Sequence, residues 1–213
     1  MRIVQPSVLL VQYTPDWERA IWNAGTLCYQ SERRDVAPSR ATMLDFIHRL
    51  ITKGHESVIE HVNFTFQAVC DRGVSHELVR HRLASYSQES TRYCNYSKER
   101  FGTEITVIKP PGLGSESQLE WELGVLTAER AYLKMLETGC TPQIARSVLP
   151  TCLKTEIVFT FNARELRHFL RLRLAKAAHP QMREIARLVY DLVLTQAGAL
   201  VLLDDLHALR FEE

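Results

Sequence analysis

The segment from Arg80 to Tyr93, RHRLASYSQESTRY, contains side chains that are well suited to bind an anion. It holds three Arg, one His, three Ser, one Thr and two Tyr, and only Leu83 and Ala84 are apolar. In a chain that is 46% hydrophobic, so polar a segment is not needed to build a core. Guanidinium groups bind phosphate and carboxylate through two parallel charge-assisted hydrogen bonds. The segment therefore predicts an anion-binding site that also offers hydroxyl groups and an imidazole.

A second set of arginines, Arg146, Arg164 and Arg173, follows nearer the C-terminal end, beside segments with apolar faces. Few acidic residues accompany either set. Because an unpaired buried charge is costly, both sets call for an anionic partner, and phosphate groups would supply it. For Arg80, His81 and Arg82 alone, the alternative interpretation is a basic helix face in contact with solvent.

The common phosphate-binding loops are absent from the sequence. Neither G-x-G-x-x-G nor G-x-x-x-x-G-K-[ST] occurs, so a nucleotide would not be held as in Rossmann or P-loop proteins. The five cysteines contain no C-x-x-C pair and are widely spaced, which excludes a zinc framework or a disulfide scaffold and favours reduced thiols. Only Cys94 lies near the arginine cluster, so the pattern does not point to a cysteine nucleophile.

Residues 54–61, GHESVIEH, could suggest a metal site because they contain two His and two Glu. His55 and His61 are six positions apart, which is roughly 240° around a helix. The metalloprotease pattern instead places two His at i and i+4 on one helix face. We therefore predict no metal site, and interpret this segment as a polar turn before a strand, able to hydrogen-bond a ligand.

The charge balance and the hydropathy pattern limit the possible partners. The chain has 26 Lys and Arg against 25 Asp and Glu, a net charge of +1, which argues against wholesale binding to nucleic acid or to a membrane surface. Residues 1–16 lack the apolar core and cleavage site of a signal peptide. No window reaches the roughly 18 apolar residues that a membrane helix needs. The protein is expected to be cytoplasmic, with neither a nucleic-acid nor a membrane partner.

Hydrophobic periodicity predicts strands and helices in irregular alternation along the chain. Strands are predicted over residues 8–11, 62–68, 105–108 and 153–161. Apolar and polar residues alternate in the second and fourth of these, and Gly73 is expected to break the chain after the second. Helices are predicted over residues 16–22, between Ser39 as the N-cap and Gly54, over residues 74–83, 119–136, 143–149 and 163–174, and from Pro180 onward. Loops are predicted over residues 31–38 and 112–117, and a loop or an irregular strand over residues 85–96. The pattern favours the α+β class, a single mixed domain over residues 1–213 with a central, mainly antiparallel sheet flanked by long helices.

The predicted helix over residues 119–136 is the longest. Its broadly periodic apolar residues are expected to face the core. They are Leu119, Leu123, Leu126, Ala131, Leu133 and Leu136.

The chain resembles the flavin-dependent thymidylate synthases. Their signature, R-H-R followed after seven residues by Ser, is matched by residues 80–82 and Ser90. Further motifs match the family in the expected order. They are GHES and EH within residues 54–61, S-x-R-Y at 90–93, A-R-x-x-L-P at 145–150, N-A-R at 162–164 and F-L-R-L-R at 169–173. Each short motif is weak alone, but several in register across residues 54–185 are specific.

This resemblance implies a homotetrameric FAD enzyme whose active sites are each built from more than one subunit. It implies methylation of dUMP to dTMP, with 5,10-methylenetetrahydrofolate as the carbon donor. NADPH would reduce the flavin, and the reduced flavin would deliver the final hydride. The family's fold is a mixed sheet flanked by helices, in keeping with the predicted elements.

The resemblance also implies roles for individual positions. The positions that match flavin-binding residues are His55, Ser57, Arg80, His81, Arg82, Gln88, Asn162, Ala163, Arg164 and His168. The positions that match dUMP-binding residues are Glu77, Arg80, Gln88, Glu89, Ser90, Thr91, Arg92, Arg146 and Arg173, with Arg146 reaching in from another subunit.

Two of these positions, Arg173 and Ser90, are expected to take part in catalysis. Arg173 would hold the uracil ring and favour ionisation at N3, because a guanidinium stabilises negative charge without losing its own. Ser90 would bind and polarise dUMP. No base is evident beside Ser90 except His81, and hydride can reach the pyrimidine directly, so Ser90 is not expected to attack.

Glu77 and Gln88 depart from the family pattern, in which Gln is usual at the first position and Glu is common at the second. We interpret the pair as a compensating exchange of charge around the nucleotide. Two other functional classes stay open from the sequence. One is a non-catalytic nucleotide-binding or regulatory module that uses the same arginines, and the other is a metal-dependent phosphohydrolase built on residues 54–61.

Overall fold

The computed structural model describes residues 1–28 and 38–211, so the loop predicted over residues 31–38 lies outside the described residues except for Pro38. The strands are β1 Arg2–Val4, β2 Ser7–Tyr13, β3 Asn63–Asp71, β4 Ala84–Gln88, β5 Thr106–Ile108 and β6 Lys154–Asn162. The helices are α1 Trp17–Cys28, α2 Arg40–Thr52, α3 Arg72–Leu78, α4 Ser115–Glu137, α5 Pro142–Ala145, α6 Ala163–Arg173, α7 Pro180–Gln196 and α8 His207–Arg210. Short 3-10 helices include Glu56–His61 and Arg146–Val148.

The strands form one antiparallel sheet and one parallel pair. The four-stranded sheet has the order β2-β3-β6-β4. In the separate pair, β1 runs parallel to β5 with Ile3 opposite Val107. Strand β6 shows the predicted alternation, since every second residue from Thr155 to Phe161 is buried. The α+β class is therefore confirmed.

The chain forms two compact units. Unit 1 contains Met1–Ser7, Ala68–Arg80 and Ser87–Ile157, and unit 2 contains Val8–Gln67, His81–Tyr86 and Val158–Glu213 as far as these are described. The single domain expected over residues 1–213 stays a prediction. Within residues 1–28 and 38–211, no helix is both long enough and apolar enough to cross a bilayer.

In unit 1, helix α4 buries only part of the face that its leucines predicted, since Leu133 and Leu136 pack against the core but the leucines nearer its start do not. Leu119 and Leu123 are 67% and 61% exposed, whereas Val125, Glu129 and Tyr132 are buried. The Glu129 carboxylate accepts hydrogen bonds from the Ile105 backbone N–H (2.9 Å) and from the Met1 amino group (3.0 Å). Because these donors satisfy the carboxylate, an acidic residue can face the core, a possibility that counting apolar residues does not consider. Helix α4 also begins at Ser115, inside the loop predicted over residues 112–117.

Helix α3 is shorter than predicted and ends before the arginine cluster. Asp71 accepts a hydrogen bond from Val74 N (2.7 Å) and so caps the helix, which places Gly73 inside α3 and not at a break after the strand. The chain then turns at residues 79–80, where Arg80 N donates to Glu77 O (3.2 Å). Residues 80–82 therefore lie outside any helix, and the alternative of a basic helix face is wrong.

In unit 2, helices α1 and α2 pack closely at Gly25. A Cβ atom on Gly25 would lie 2.6 Å from the Phe46 ring, which itself packs edge-on against Trp22 at 4.9 Å between centroids. Ser39 caps α2 as predicted, since its side chain accepts from Thr42 N (3.1 Å). The contact between the two helices thus depends on a residue without a side chain in α1.

We expect Gly25→Ala to lower the free energy of unfolding, because overpacking costs about 1–3 kcal/mol and exceeds the gain of about 1 kcal/mol in helix propensity. Gly124→Ala in α4 is the matched control, since a Cβ atom added there would have no other atom within 4 Å. In Gly124→Ala the free energy of unfolding should rise by up to about 1 kcal/mol. Urea unfolding of both variants measures the difference, and equal gains would contradict the close contact.

Candidate active site

The residues expected to bind ligands are divided between the two units, and each unit is described separately. Unit 1 holds eight of them: Glu77, Arg80, Gln88, Glu89, Ser90, Thr91, Arg92 and Arg146. Unit 2 holds nine: His55, Ser57, His81, Arg82, Asn162, Ala163, Arg164, His168 and Arg173.

In unit 1, a turn at residues 90–92 follows strand β4, contains Arg92 and is contacted by Arg146. Ser90 Oγ accepts from Arg92 N (3.3 Å), and Arg146 Nη1 donates to Thr91 Oγ1 (3.2 Å). Both guanidinium groups belong to exposed residues, and neither has a carboxylate partner among the described residues. The Arg146 contact is made within one chain, whereas the resemblance implied that Arg146 reaches another subunit, and that intersubunit contact stays a prediction. The turn thus gathers positive charge and hydroxyl groups.

Glu89 is hydrogen-bonded to three residues of unit 1. Its carboxylate accepts from the Tyr96 hydroxyl (2.8 Å) and from Lys154 Nζ (3.1 Å), and its backbone oxygen accepts from Arg72 Nη2 (2.7 Å). Burial, together with the Glu89 charge and hydrogen bond, raises the pKa of the Tyr96 hydroxyl well above its usual range. These bonds fix the chain immediately before the turn at residues 90–92. The dUMP contact implied for Glu89 stays a prediction.

Gln88 has a local reason to be an amide. Its Nε2 donates to Ser75 Oγ (2.9 Å) and to Thr155 Oγ1 (3.1 Å). The Ser75 hydroxyl already donates its proton to Arg72 O (3.0 Å), so it can only accept from residue 88. A Glu carboxylate could not donate this bond. The departure from the family pattern at Gln88 is therefore explained by Ser75, while the exchange of charge with Glu77 stays a hypothesis.

In unit 2, residues 54–58 and Arg164 line a pocket of about 280 Å³. Three of the expected flavin-binding residues, His55, Ser57 and Arg164, belong to this lining. The acidic residues of the same segment bind arginines of α6. Glu60 accepts from Arg164 Nη1 (2.6 Å), and Glu56 accepts from Arg167 Nε (3.1 Å). Residues 56–61 thus form a 3-10 helix that ion pairs hold to α6.

Arg167 is 2% exposed and is held by a fork of hydrogen bonds. Its Nη1 and Nη2 donate to the two carboxylate oxygens of Asp205, at 2.7 and 2.9 Å. Although partial burial works against it, this pairing lowers the pKa of Asp205. The sequence placed Arg167 in the predicted helix over residues 163–174 and, unlike Arg164 and Arg173, gave it no role. The structure shows that Arg167 binds α6 to the segment around Asp205 and faces away from solvent.

His81 is the centre of a buried network in unit 2. Its Nδ1 is 3.0 Å from Glu165 Oε1, and its Nε2 accepts from Arg173 Nε at 3.1 Å. The rings of Phe161, Phe169 and His168 surround it at centroid distances of 5.2 to 6.2 Å. Burial lowers the pKa of His81 and outweighs the opposing hydrogen bond to Glu165, while the charges of Arg173 and His168 lower it further.

Glu165 is the residue of this network that the sequence did not identify. It stands three positions after the helix cap Asn162, where the order N-x-x-E resembles a capping box. That pattern predicts that the carboxylate binds the backbone at the start of the helix, so the sequence gives no reason to expect its bond to His81. With His81 and His168, Glu165 forms a group of possible metal ligands within 4.8 Å. Because both His81 nitrogens are already hydrogen-bonded, one of them to a cation, we do not assign a metal to this group.

Comparison with known proteins identifies the family. The model of the family "Thymidylate synthase complementing protein" matches residues 9–197. A flavin-dependent thymidylate synthase of Geobacter sulfurreducens is 37% identical over 186 residues, which cover 84% of this chain and 78% of that protein. Another, of Pyrococcus horikoshii, is 38% identical over 185 residues, covering 84% and 75%. The chain belongs to the flavin-dependent thymidylate synthase family. The resemblance inferred from the motifs is confirmed.

A solved structure shares the fold of this family member. The crystal structure of a UMP/dUMP methylase from Streptomyces cacaoi, bound with 5-Br dUMP, matches with a TM-score of 0.77. The match covers 91% of this chain and 92% of that chain at 22% sequence identity. At that identity the likeness supports the fold.

Two family-motif residues, Asn162 and Ala163, fix the start of helix α6. Asn162 Oδ1 accepts from Glu165 N (2.9 Å). Ala163 is fully buried, and its N–H donates to Val62 O (2.7 Å). Their side chains thus contribute a helix cap and close packing, while the flavin contacts implied for them stay predictions. Arg80 and Arg82 are exposed, and in the described part of the chain neither has a carboxylate partner.

We expect Asn162→Ala to lower the free energy of unfolding by about 1 kcal/mol, because it removes the cap of α6. Ser39→Ala removes the same kind of cap from α2, which carries none of the expected site residues, and should lose a similar amount. Asn162→Asp keeps an oxygen that can accept from Glu165 N and should stay near the wild-type value. Urea unfolding measures all three variants. An Asp variant as unstable as the Ala variant would contradict a capping role.

Proposed function

We propose that this protein catalyses the FAD-dependent reductive methylation of dUMP to dTMP, with 5,10-methylenetetrahydrofolate as the carbon donor and NADPH as the reductant. Family membership supports this reaction class. The observation that carries the proposal is the turn at residues 90–92, where the guanidinium groups of Arg92 and Arg146 have no carboxylate partner in the described part of the chain. Such a turn suits the phosphate of a nucleotide, because guanidinium forks and hydroxyl groups bind phosphate oxygens.

The residues around the unit 2 pocket offer groups that suit part of an FAD molecule. His55, Ser57 and Arg164 offer an imidazole, a hydroxyl and a guanidinium group at a pocket of about 280 Å³. Arg82 of the same unit provides a further exposed guanidinium group, which suits the negative charge of a pyrophosphate. When bound and reduced by NADPH, the flavin would supply the hydride that completes the methyl group. The protein's own residues would bind the cofactor and balance its negative charge.

Arg173 is proposed to bind the uracil ring and to favour its ionisation at N3. A guanidinium stabilises negative charge at that atom and keeps its own positive charge throughout. Ser90 is proposed to bind and polarise dUMP, not to attack it. The one base that the sequence offered for Ser90 was His81, and both nitrogens of His81 are bonded to Glu165 and Arg173. An activated serine needs a base that is able to accept its proton.

A homotetramer with shared active sites is part of the proposal. Two surfaces of the chain carry exposed apolar side chains that a second copy could cover. Strand β2 exposes Leu9 and Val11 by 63% and 55%, and helix α4 exposes Leu119 and Leu123 by 67% and 61%. Exposed apolar patches of this kind are common at protein interfaces.

The purified protein should be yellow, and it should convert dUMP to dTMP only when NADPH and 5,10-methylenetetrahydrofolate are both present. The visible absorption spectrum, the dTMP yield and the mass from light scattering can be measured on one preparation. A colourless protein that cannot be reconstituted with FAD would contradict the proposal. A protein that binds dUMP less tightly as salt rises, but forms no dTMP, would be the non-catalytic nucleotide-binding module instead.

Arg173→Ala should abolish dTMP formation, with a loss of about a hundredfold or more, while NADPH oxidation falls much less. The reason is that Arg173 is proposed to act on the pyrimidine and not on the reduction of the flavin. Arg171→Ala is the matched control, because Arg171 lies on the same helix and is 3.5 Å from Asp205. That variant should keep both activities. Equal loss of dTMP formation and NADPH oxidation in Arg173→Ala would exclude the role given to Arg173.

A further inference from the structure

We propose that Glu165 is a positioning residue for Arg173, acting through His81. Glu165 holds the His81 ring as the tautomer with its proton on Nδ1, and Nε2 of that ring then fixes the Arg173 guanidinium by accepting its Nε–H. The consequence for dUMP rests on the proposed function, in which Arg173 binds the uracil ring. The link from Glu165 to Arg173 is independent of that function.

The hydrogen-bond chemistry allows only one tautomer. Arg173 Nε can donate but cannot accept, so at 3.1 Å the facing His81 Nε2 must be the acceptor. In a neutral imidazole the proton then lies on Nδ1, which donates to Glu165 Oε1 at 3.0 Å. The opposite tautomer would direct the Nε2–H of His81 at the Nε–H of Arg173. A carboxylate at Nδ1 accepts a hydrogen bond and cannot donate one, so Glu165 selects the required form.

Burial makes this selection effective. Glu165 and His81 are each 5% exposed, so water does not compete readily for their hydrogen bond. The ring of His81 is confined by Phe161 and Phe169, and its backbone oxygen accepts from the Tyr86 hydroxyl (2.8 Å). Burial also favours the neutral ring, which is the form that can accept from Arg173. The ring therefore has one orientation and one protonation pattern.

Glu165 can influence Arg173 through His81 but not along the helix. The two residues are eight positions apart on α6, a separation of about 12 Å along the axis. His81 comes from a separate segment and touches both. Its bond uses Arg173 Nε. Fixing Nε sets the plane of the guanidinium group, which determines where Nη1 and Nη2 are directed.

The alternative is that Glu165 only stabilises the fold. The variant Glu165→Gln separates the two roles, because the amide keeps the size and one acceptor of the side chain but can also donate to Nδ1. It therefore permits the unfavourable tautomer. Asp191→Asn is the matched control, since Asp191 is likewise a carboxylate of unit 2 that is hydrogen-bonded to a basic side chain, that of Arg210, at 2.7 and 2.9 Å.

The first measurement is the 15N spectrum of the ring nitrogens in full-length protein labelled at histidine, with His81 assigned from the His81→Asn variant. In wild-type protein and in Asp191→Asn, His81 should show a protonated Nδ1 and an unprotonated Nε2 at neutral pH. In Glu165→Gln, the signal of a protonated Nε2 should appear. An unchanged His81 tautomer in Glu165→Gln, or a protonated Nε2 in wild-type protein, would overturn the proposal.

The second measurement is a double-mutant cycle on dUMP affinity. Glu165→Gln should weaken dUMP binding about 10- to 100-fold, since a hydrogen bond to a charged group is disturbed. In the background of Arg173→Ala the same change should have little effect, because its target is gone. If Glu165→Gln weakens dUMP binding equally with and without Arg173, Glu165 has a structural role and the proposal is overturned. The same holds if the loss of affinity is accompanied by a matching loss of thermal stability. If wild-type protein forms no dTMP, the proposed function fails, while the His81 tautomer still decides the link from Glu165 to Arg173.

Discussion

The fixed start of helix α6 is the constraint on which unit 2 depends. Asn162 caps the helix and the Ala163 N–H is bound to Val62 O, so the rotation of α6 is set at its first turn. Successive helical residues are separated by about 100°, so a shift by one position would turn every side chain to a new direction. With the observed register, Arg164 faces the pocket, Glu165 faces His81 and Arg167 faces Asp205. Three charged residues that are close in the chain thereby face three different parts of unit 2.

The structure distinguishes arginines that have acidic partners from arginines that do not. Arg167 is buried and is satisfied by Asp205 and Glu56, so it contributes to the fold. In unit 1, the buried acid Glu129 is satisfied by a backbone N–H and an amino group, and Glu89 by Tyr96 and Lys154. Among the described residues these acids are not partners of Arg92 or Arg146. Because the local acids are bound elsewhere, the turn at residues 90–92 keeps the positive charge that an anionic ligand needs.

Much of the architecture could be predicted from the sequence, because it depends on local patterns. The alternation in β6 and the cap at Ser39 follow from residues close together in the chain, and both predictions are confirmed. The buried face of α4 could not be predicted in this way. It depends on the bond between Glu129 and Ile105, residues 24 positions apart, and periodicity records only that Glu is polar. The choice of Gln at position 88 depends in the same way on the direction of the Ser75 hydroxyl bond.

For the site, the family motifs indicated which residues to examine but not how each one acts. The three residues of R-H-R illustrate the difference. The sequence predicted a helix here, in which these residues would form one basic surface. They lie outside any helix instead, and their side chains are alternately exposed and buried, as in an extended chain. Arg80 and Arg82 are exposed, whereas His81 is buried against Glu165 and Arg173. The arginines of the motif are therefore open to solvent, whereas the histidine between them contacts an acid and another arginine, one through each ring nitrogen. A residue with two distinct ring nitrogens suits that middle position.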